Sequence, residues 1–261
     1  MRRFTADYLE HTRRGLWDDV DDLAGLDLPG RERVLDVGCG TGELTRRLRE
    51  ESGATVVGLD ADRSLLSHVG GPTVVGDALR LPIGDDVFDL VVCQALLVNL
   101  PEPSEAVREF ARVSSDLVAA VEPDNAAVVV DSTVPAESRL AGRARSAYID
   151  GVDTDVTVGG DVASLFEAAG LQDVSTVRHD HRRTVEAPYT EADLEGARRK
   201  ASGERLADQR DTLLAGDLSP GAYDELRDAW RAMGREVIEQ IQSGEYEREE
   251  TVPFYVTVGR V

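Results

Sequence analysis

Short apolar runs recur along the first half of the chain. Each ends in a polar or glycine-rich turn and leads into a stretch of helical period. Val34, Leu35 and Val37 read as a short buried strand, and Glu43 to Glu51 as a helix with Leu44 and Leu48 on one inward face and Thr41 available as its cap. Thr55 to Leu59 predicts a second strand. Asp60-Ala61-Asp62 follows it, with Asp62 placed to cap a helix reaching Val69. Thr73 to Val75 is a third strand. Val87 to Cys93 is a fourth, nearly all apolar as a central parallel strand should be. Pro103 can open a helix that turns Ala106, Val107, Phe110 and Val113 inward, and Leu117 to Val121 is a fifth strand. Strand and helix alternate, which predicts a mostly parallel sheet with helices on both faces.

The pattern is less regular afterwards. Residues 123–158 form a long connection with a helix from Pro135 to Ile149. Asp161 to Ala169 reads as a helix closed by Gly170, and Val174 to Arg178 as a strand. A helical pattern then fills residues 180–250, where Leu226, Ala229, Trp230, Met233, Val237 and Ile241 form a stripe expected to face a core. Thr251 to Val258 alternates as a last strand. At the other end, residues 4–24 read as a helix or helix pair, with Leu16, Val20 and Leu23 on one face and Tyr8 and Trp17 adding aromatic surface. The expected architecture is an α/β Rossmann-like, doubly wound, mostly parallel seven-stranded sheet with a helical cap. Its divisions are an N-terminal helical lid (1–29), the sheet domain (30–179), a cap insertion (180–250) and a final sheet strand (251–261).

Charge narrows the partners. The chain has 261 residues, 50 of them Asp or Glu against 29 Lys or Arg, for a net charge of -21. Lys200 is the sole lysine. Nucleic-acid binding needs a basic footprint, and none is present. Acidity with almost no lysine resembles the cytosolic proteins of salt-accumulating halophilic archaea, where high salt screens self-repulsion; an ordinary acidic bacterial protein is the alternative. Cys39 and Cys93 sit in apolar surroundings and read as free core thiols rather than a disulfide framework. His179 and His181 have no nearby Cys or His to complete a metal set, and no metal is expected. The start lacks the apolar stretch of a signal peptide, and no apolar run is long enough to span a membrane. A cytoplasmic monomer or homodimer is the expectation.

The chemistry concentrates after the strands. Gly38, Gly40 and Gly42 occupy every second position between the first strand and its helix. Glycines there allow backbone angles and close approaches that a Cβ would block, so a polar ligand can lie against bare backbone near the positive end of the helix. Asp36, Asp60, Asp77, Gln94 and Glu122 each end one of the five strands. Ligands of such sheets bind beyond the carboxyl ends of the strands. A dinucleotide oxidoreductase would also place an acid about twenty residues after its glycines, but its turn is Gly-x-Gly-x-x-Gly, and the residue three after Gly40 is Glu43.

In combination these motifs resemble the class I S-adenosylmethionine-dependent methyltransferases of the type 11-like group. The likeness is close over residues 30–125 and looser over 150–178. Asp36 with Gly38, Gly40 and Gly42 matches the family's first motif, Asp60 the acid ending the second strand, and Gly76-Asp77-Ala78 the turn after the third. Leu81-Pro82, Asp85 and Phe88-Asp89-Leu90-Val91 fit the approach to the fourth strand. The resemblance implies a cofactor site made by Asp36, Gly38, Gly40, Gly42, Asp60, Ala61, Asp77, Ala78, Gln94 and Arg13. Asp60 would accept both ribose hydroxyls and Asp77 the adenine amino group. The amide of Ala78 would face a ring nitrogen, and Arg13 or Arg14 would meet the cofactor's carboxylate. Tyr8 and Arg13 resemble residues of the family's N-terminal lid helix.

The acceptor side departs from the family. Leu97-Val98-Asn99-Leu100-Pro101 has no histidine where many relatives carry one, and Ser114-Ser115-Asp116 replaces Pro-Gly-Gly before the fifth strand. No catalytic residue is compulsory for methyl transfer from a sulfonium; His11, Tyr8 and Glu122 are the candidates at the expected rim. A small-molecule acceptor is expected. The alternatives are an NAD(P)-dependent oxidoreductase and a methyltransferase-like protein that binds without catalysis.

Overall fold

The computed structural model describes Leu23 and residues 25–261. Tyr8, His11, Arg13 and Arg14, with the expected lid helix, lie outside the described residues. Eight strands are present among the described residues, one more than the hydrophobic pattern predicts. The chain divides into two compact units. The first contains the described residues up to Pro123, Thr157–His179 and Phe254–Val261. The second contains Asp124–Val156 and Asp180–Pro253.

The first unit is built on β1 (Arg33–Val37), β2 (Thr55–Asp60), β3 (Thr73–Val75), β4 (Phe88–Gln94) and β5 (Ser114–Pro123). The order is β3-β2-β1-β4-β5, all parallel, so the strand order reverses at β1, between β2 and β4. Such a reversal opens a crevice at the carboxyl ends. The last strand, β8 (Arg248–Arg260), pairs antiparallel with β5, with Tyr255 opposite Glu122 and Arg260 opposite Leu117. Leu35, Val37, Val91, Val118 and Ala120 bury their side chains against Val107 and Phe110 of helix α3 (Pro103–Val113) and Phe166 of α5 (Val162–Ala168). Asp89, within the family-like Phe-Asp-Leu-Val run, braces the opposite end of the sheet: its carboxylate accepts from the amides of Glu32 (2.6 Å) and Arg33 (3.3 Å) at the entry to β1.

Three expectations need correction. Helix α1 (Glu43–Ser52) is not capped by Thr41: its N-cap is Gly42, in the left-handed region at φ 84°, with no side-chain cap bond. Helix α2 (Arg63–Leu66) has the Asp62 cap, whose carboxylate accepts from Ser64 N, but it stops three residues short of Val69. The strand expected at 174–178 is the first part of β7 (Gln172–Val185). Its side chains are mostly exposed and polar, so no apolar alternation marks its length.

In the second unit, the connection after β5 contains an unexpected short strand, β6 (Val129–Ser132), antiparallel to the Arg248–Thr251 half of β8. Helix α4 (Pro135–Gly151) follows. Helices α6 (Glu191–Ser202), α7 (Glu204–Asp208), α8 (Arg210–Ala215) and α9 (Pro220–Ser243) fill the later segment. The α9 stripe does face a core: Leu226, Trp230, Met233 and Val237 are buried. Gly234 of α9 meets α6 backbone to backbone. A Cβ there would lie 2.3 Å from Ala201 N and 2.4 Å from the Lys200 carbonyl carbon. That contact holds the end of α6, and Lys200 with it, against α9. No helix among the described residues is long and apolar enough to cross a membrane.

Candidate functional site

The glycine turn leaves β1 through three positive-φ residues, Gly38 (70°), Gly40 (56°) and Gly42 (84°). The amides of Gly38 and Cys39 both donate to the Leu59 carbonyl, at 2.7 and 3.0 Å, which ties the turn to the end of β2. A Cβ on Gly38 would lie 2.8 Å from Leu96 Cδ1, and one on Gly42 3.0 Å from Val69. Gly38→Ala combines left-handed strain with a forced shift of Leu96. A loss of about 1–2 kcal/mol of stability is expected, read as a lower midpoint in denaturant at unchanged slope.

Asp60 closes the turn from the next strand. Its Oδ2 accepts from Gly40 N at 2.9 Å and its Oδ1 from Asp62 N at 2.8 Å. Each oxygen therefore spends one of its two acceptor positions on the backbone and keeps the other, on a half-buried side chain. That is the arrangement a pair of neighbouring hydroxyls requires. Asp36 is buried beneath the turn, and its Oδ2 accepts from the Thr45 hydroxyl at 2.5 Å. Asp36 thus links the strand to α1, a partnership with Thr45 that sequence reasoning missed; the spacing from the end of β1 to the first turns of α1 is the signal that could have found it.

The third strand delivers Asp77 and Ala78. Asp77 is exposed, and its Oδ1 accepts from Leu79 N at 3.0 Å, forming a tight turn. Ala78 is buried, and Gly76 N donates to the Asp60 carbonyl at 3.1 Å, so the two acids are held in register. Ala61 is exposed, between Asp60 and Asp62. Gln94 ends β4 in a buried position, and the chain then turns sharply at Ala95, φ 48°.

Glu122 is not a rim residue. It is fully buried, and its Oε1 accepts from Leu96 N and Leu97 N, both at 2.9 Å, while Oε2 accepts from Val98 N at 3.2 Å. It fastens the loop after β4, including Leu96, which packs over Gly38. Its carboxylate is spent on shaping this loop. Burial pushes its carboxyl up to about 7, opposed by those three amides. The folded state therefore holds this proton over the range from about 4.5 to 7, where the unfolded chain releases it. Stability from this group falls as pH rises through that range. Glu122→Gln cannot titrate and should remove that part of the slope, measured by denaturation at pH 5, 6 and 7.

The first unit thus brings Asp36, the three glycines, Asp60, Ala61, Asp77, Ala78 and Gln94 to the carboxyl ends of β1 to β4. "Methyltransferase GfsG" of Streptomyces halstedii is 30% identical over 133 residues, which cover 41% of this chain and 48% of that protein. The "Demethylmenaquinone methyltransferase" of Corynebacterium kroppenstedtii is 40% identical over 91 residues, 34% of this chain and 39% of that protein. The matches thus span about half or less of these curated relatives. A Bacillus halodurans protein described as a candidate methyltransferase superposes with a TM-score of 0.54 at 17% identity, covering 93% of this chain and 98% of that one, which shows the fold alone. Residues 35–116 match the family model of a methyltransferase domain, and they include every site residue just placed except Glu122.

Proposed function

We propose that the chain is an S-adenosylmethionine-dependent methyltransferase acting on a small-molecule acceptor. The observation that carries this is the Asp60 carboxylate, which clasps the Gly40 amide and keeps one acceptor position on each oxygen. The fit is chemical as well as topological. Asp60 would hold the ribose hydroxyls, Asp77 with the Ala78 amide the adenine edge, and the glycine turn the methionine portion. Arg13 is the proposed partner of the cofactor's carboxylate. When bound, the cofactor supplies a methyl group on a sulfonium, an already activated carbon. The chain's own residues then need only hold the acceptor in line, exclude water and accept a proton where the acceptor carries one. His11 and Tyr8 remain the proposed candidates for that last task. The net charge of -21 supports a high-salt cytoplasm as the working medium and argues against nucleic acid as the acceptor.

The test is calorimetric titration of the purified protein with S-adenosylmethionine and, separately, with NADH in molar KCl. Binding of the first alone supports the proposal. Binding of NADH alone would overturn it and restore the oxidoreductase reading of the glycine turn. Folded protein that binds neither would also overturn it.

A further inference from the structure

Three consecutive backbone amides of the loop after β4 converge on one buried carboxylate. Oε1 of Glu122 receives Leu96 N and Leu97 N, both at 2.9 Å, and the Cys93 thiol at 3.6 Å; Oε2 receives Val98 N at 3.2 Å. The amides belong to the entry of a single 3-10 turn, Leu97–Asn99, whose first donors have no partner within the turn. The rest of the loop is tied by its own polar groups. Ala95 N donates to the Val121 carbonyl at 2.9 Å, Asn99 N to the Leu96 carbonyl at 2.8 Å and Asn99 Nδ2 to the Ala95 carbonyl at 2.7 Å.

What this loop delivers to the glycine turn is Leu96. Its Cδ1 and Cδ2 would lie only 2.8 and 3.1 Å from a Cβ at Gly38, the first of the three positive-φ glycines. Glu122, Leu96 and Gly38 all belong to the first unit, so one carboxylate at the end of β5 sets, through Leu96, what stands against the turn that leaves β1.

The two charge states of Glu122 hold the loop differently. Ionised, it accepts from every donor, and hydrogen bonds to a charged acceptor are roughly twice as strong as neutral ones. Protonated, one oxygen carries a hydrogen. Oε1 is taken by three donors, which leaves Oε2, where that hydrogen competes with the Val98 amide. Burial brings this carboxyl to about 7, so both states are populated near neutral pH. Cys93 on β4 stays protonated there, because burial and Glu122 hold its thiol well above the usual range, and Asp36 on β1 acts on it in the same direction. Tyr255 stands opposite Glu122 on β8, and Asp161 ends the turn whose Gly159 packs against the Glu122 carbonyl. Residues 95–100 carry no titratable group.

We propose that Glu122 is a positioning residue for the cofactor: its ionised form fastens Leu96 over Gly38, and cofactor binding is thereby coupled to the loss of one proton. This deepens the methyl-transfer reading and rests on it. Affinity rises as pH rises through the range in which Glu122 ionises, and by reciprocity binding expels a proton.

The cofactor-free protein is followed first, by NMR from pH 5.5 to 8.5. The amide resonances of Leu96, Leu97 and Val98 should shift together with one midpoint and stand still in Glu122→Gln. S-adenosylmethionine is then titrated in molar KCl at pH 6 and 8, in two buffers of different ionisation enthalpy. Binding about three- to tenfold tighter at pH 8, with a fraction of a proton released near pH 7, is expected. Glu122→Gln keeps an acceptor for Leu96 and Leu97 but turns an NH2 toward Val98 N. It should bind at both pH values as weakly as the wild type does at pH 6, and release no proton. His68→Gln, at an exposed position, should keep the wild-type pH slope. If Glu122→Gln does not fold, the wild-type resonances and proton count still decide. Amides that do not titrate, affinity that ignores pH, or a slope that survives in folded Glu122→Gln overturns the proposal and leaves the methyl-transfer reading standing. Titrating amides in a protein that binds no S-adenosylmethionine at either pH overturn that reading and this coupling with it.

Discussion

Asp60→Ala is expected to weaken S-adenosylmethionine binding about a hundredfold while leaving the protein folded. The proposed role gives Asp60 two hydrogen bonds from ribose hydroxyls to a charged acceptor. Bonds of that kind contribute roughly 1.5–3 kcal/mol each, and about 3 kcal/mol in total corresponds to a factor near a hundred. The same substitution frees the amides of Gly40 and Asp62, which now donate to this carboxylate at 2.9 and 2.8 Å. Asp62 is half-buried and its amide can turn to water, whereas Gly40 is buried, so its freed amide adds a cost of about 1–3 kcal/mol to the fold. Asp60→Asn separates the two effects, because its amide oxygen can still accept from one backbone donor while the charge is gone. Asp77→Ala removes one proposed bond to the adenine amino group and should cost about tenfold. Calorimetric titration reads all three variants. Wild-type affinity in Asp60→Ala would remove Asp60 from the site and with it the placement of the adenosine.

Much of this site was legible because its signals are local. A strand that is apolar on both faces, three glycines at alternate positions and the acids Asp60 and Asp77 after the next two strands are each contained within a few residues. Parallel topology then gathers those strand ends without further information. What was hidden depends on partners distant in sequence. Glu122 ends its strand as Asp60 does, so the pattern alone gave both the same weight. Only the fold shows that its oxygens are used by Leu96, Leu97 and Val98, more than twenty residues earlier. Asp89 carried no role beyond its place in the run into the fourth strand, yet it braces the amides of Glu32 and Arg33 at the far end of the sheet. The length of β7 was invisible for a different reason. Its exposed residues carry no burial pattern, so only the pairing with β8 defines its limits.

The charge cluster of the second unit was the least legible feature, and breaking it should have the largest effect on stability. Glu137 sits in the first turn of a helix opened by Pro135, where an acid ordinarily faces water and meets the helix dipole. Nothing in the sequence around Lys200 and Arg248 distinguishes them from surface charges. In the structure Glu137 is the common acceptor for Lys200, Ser132 and Tyr246 and lies beside Arg248. Burial alone would push its carboxyl up, but Lys200, Ser132 and Arg248 together hold it below the usual carboxylate range, so it stays charged near neutral pH. Glu137→Ala would leave two buried cations beside an empty space and strip the Tyr246 hydroxyl of its acceptor. Removing one member of a buried ion pair costs about 3–5 kcal/mol. That is a large share of a typical domain's stability, so unfolding of the second unit at ordinary temperatures is expected. Adding Lys200→Met to Glu137→Ala should recover part of the loss, because one uncompensated charge is gone and apolar volume fills its place. Denaturation of the single and double variants in high salt tests this. A Glu137→Ala protein as stable as the wild type would mean that water reaches the cluster and screens it.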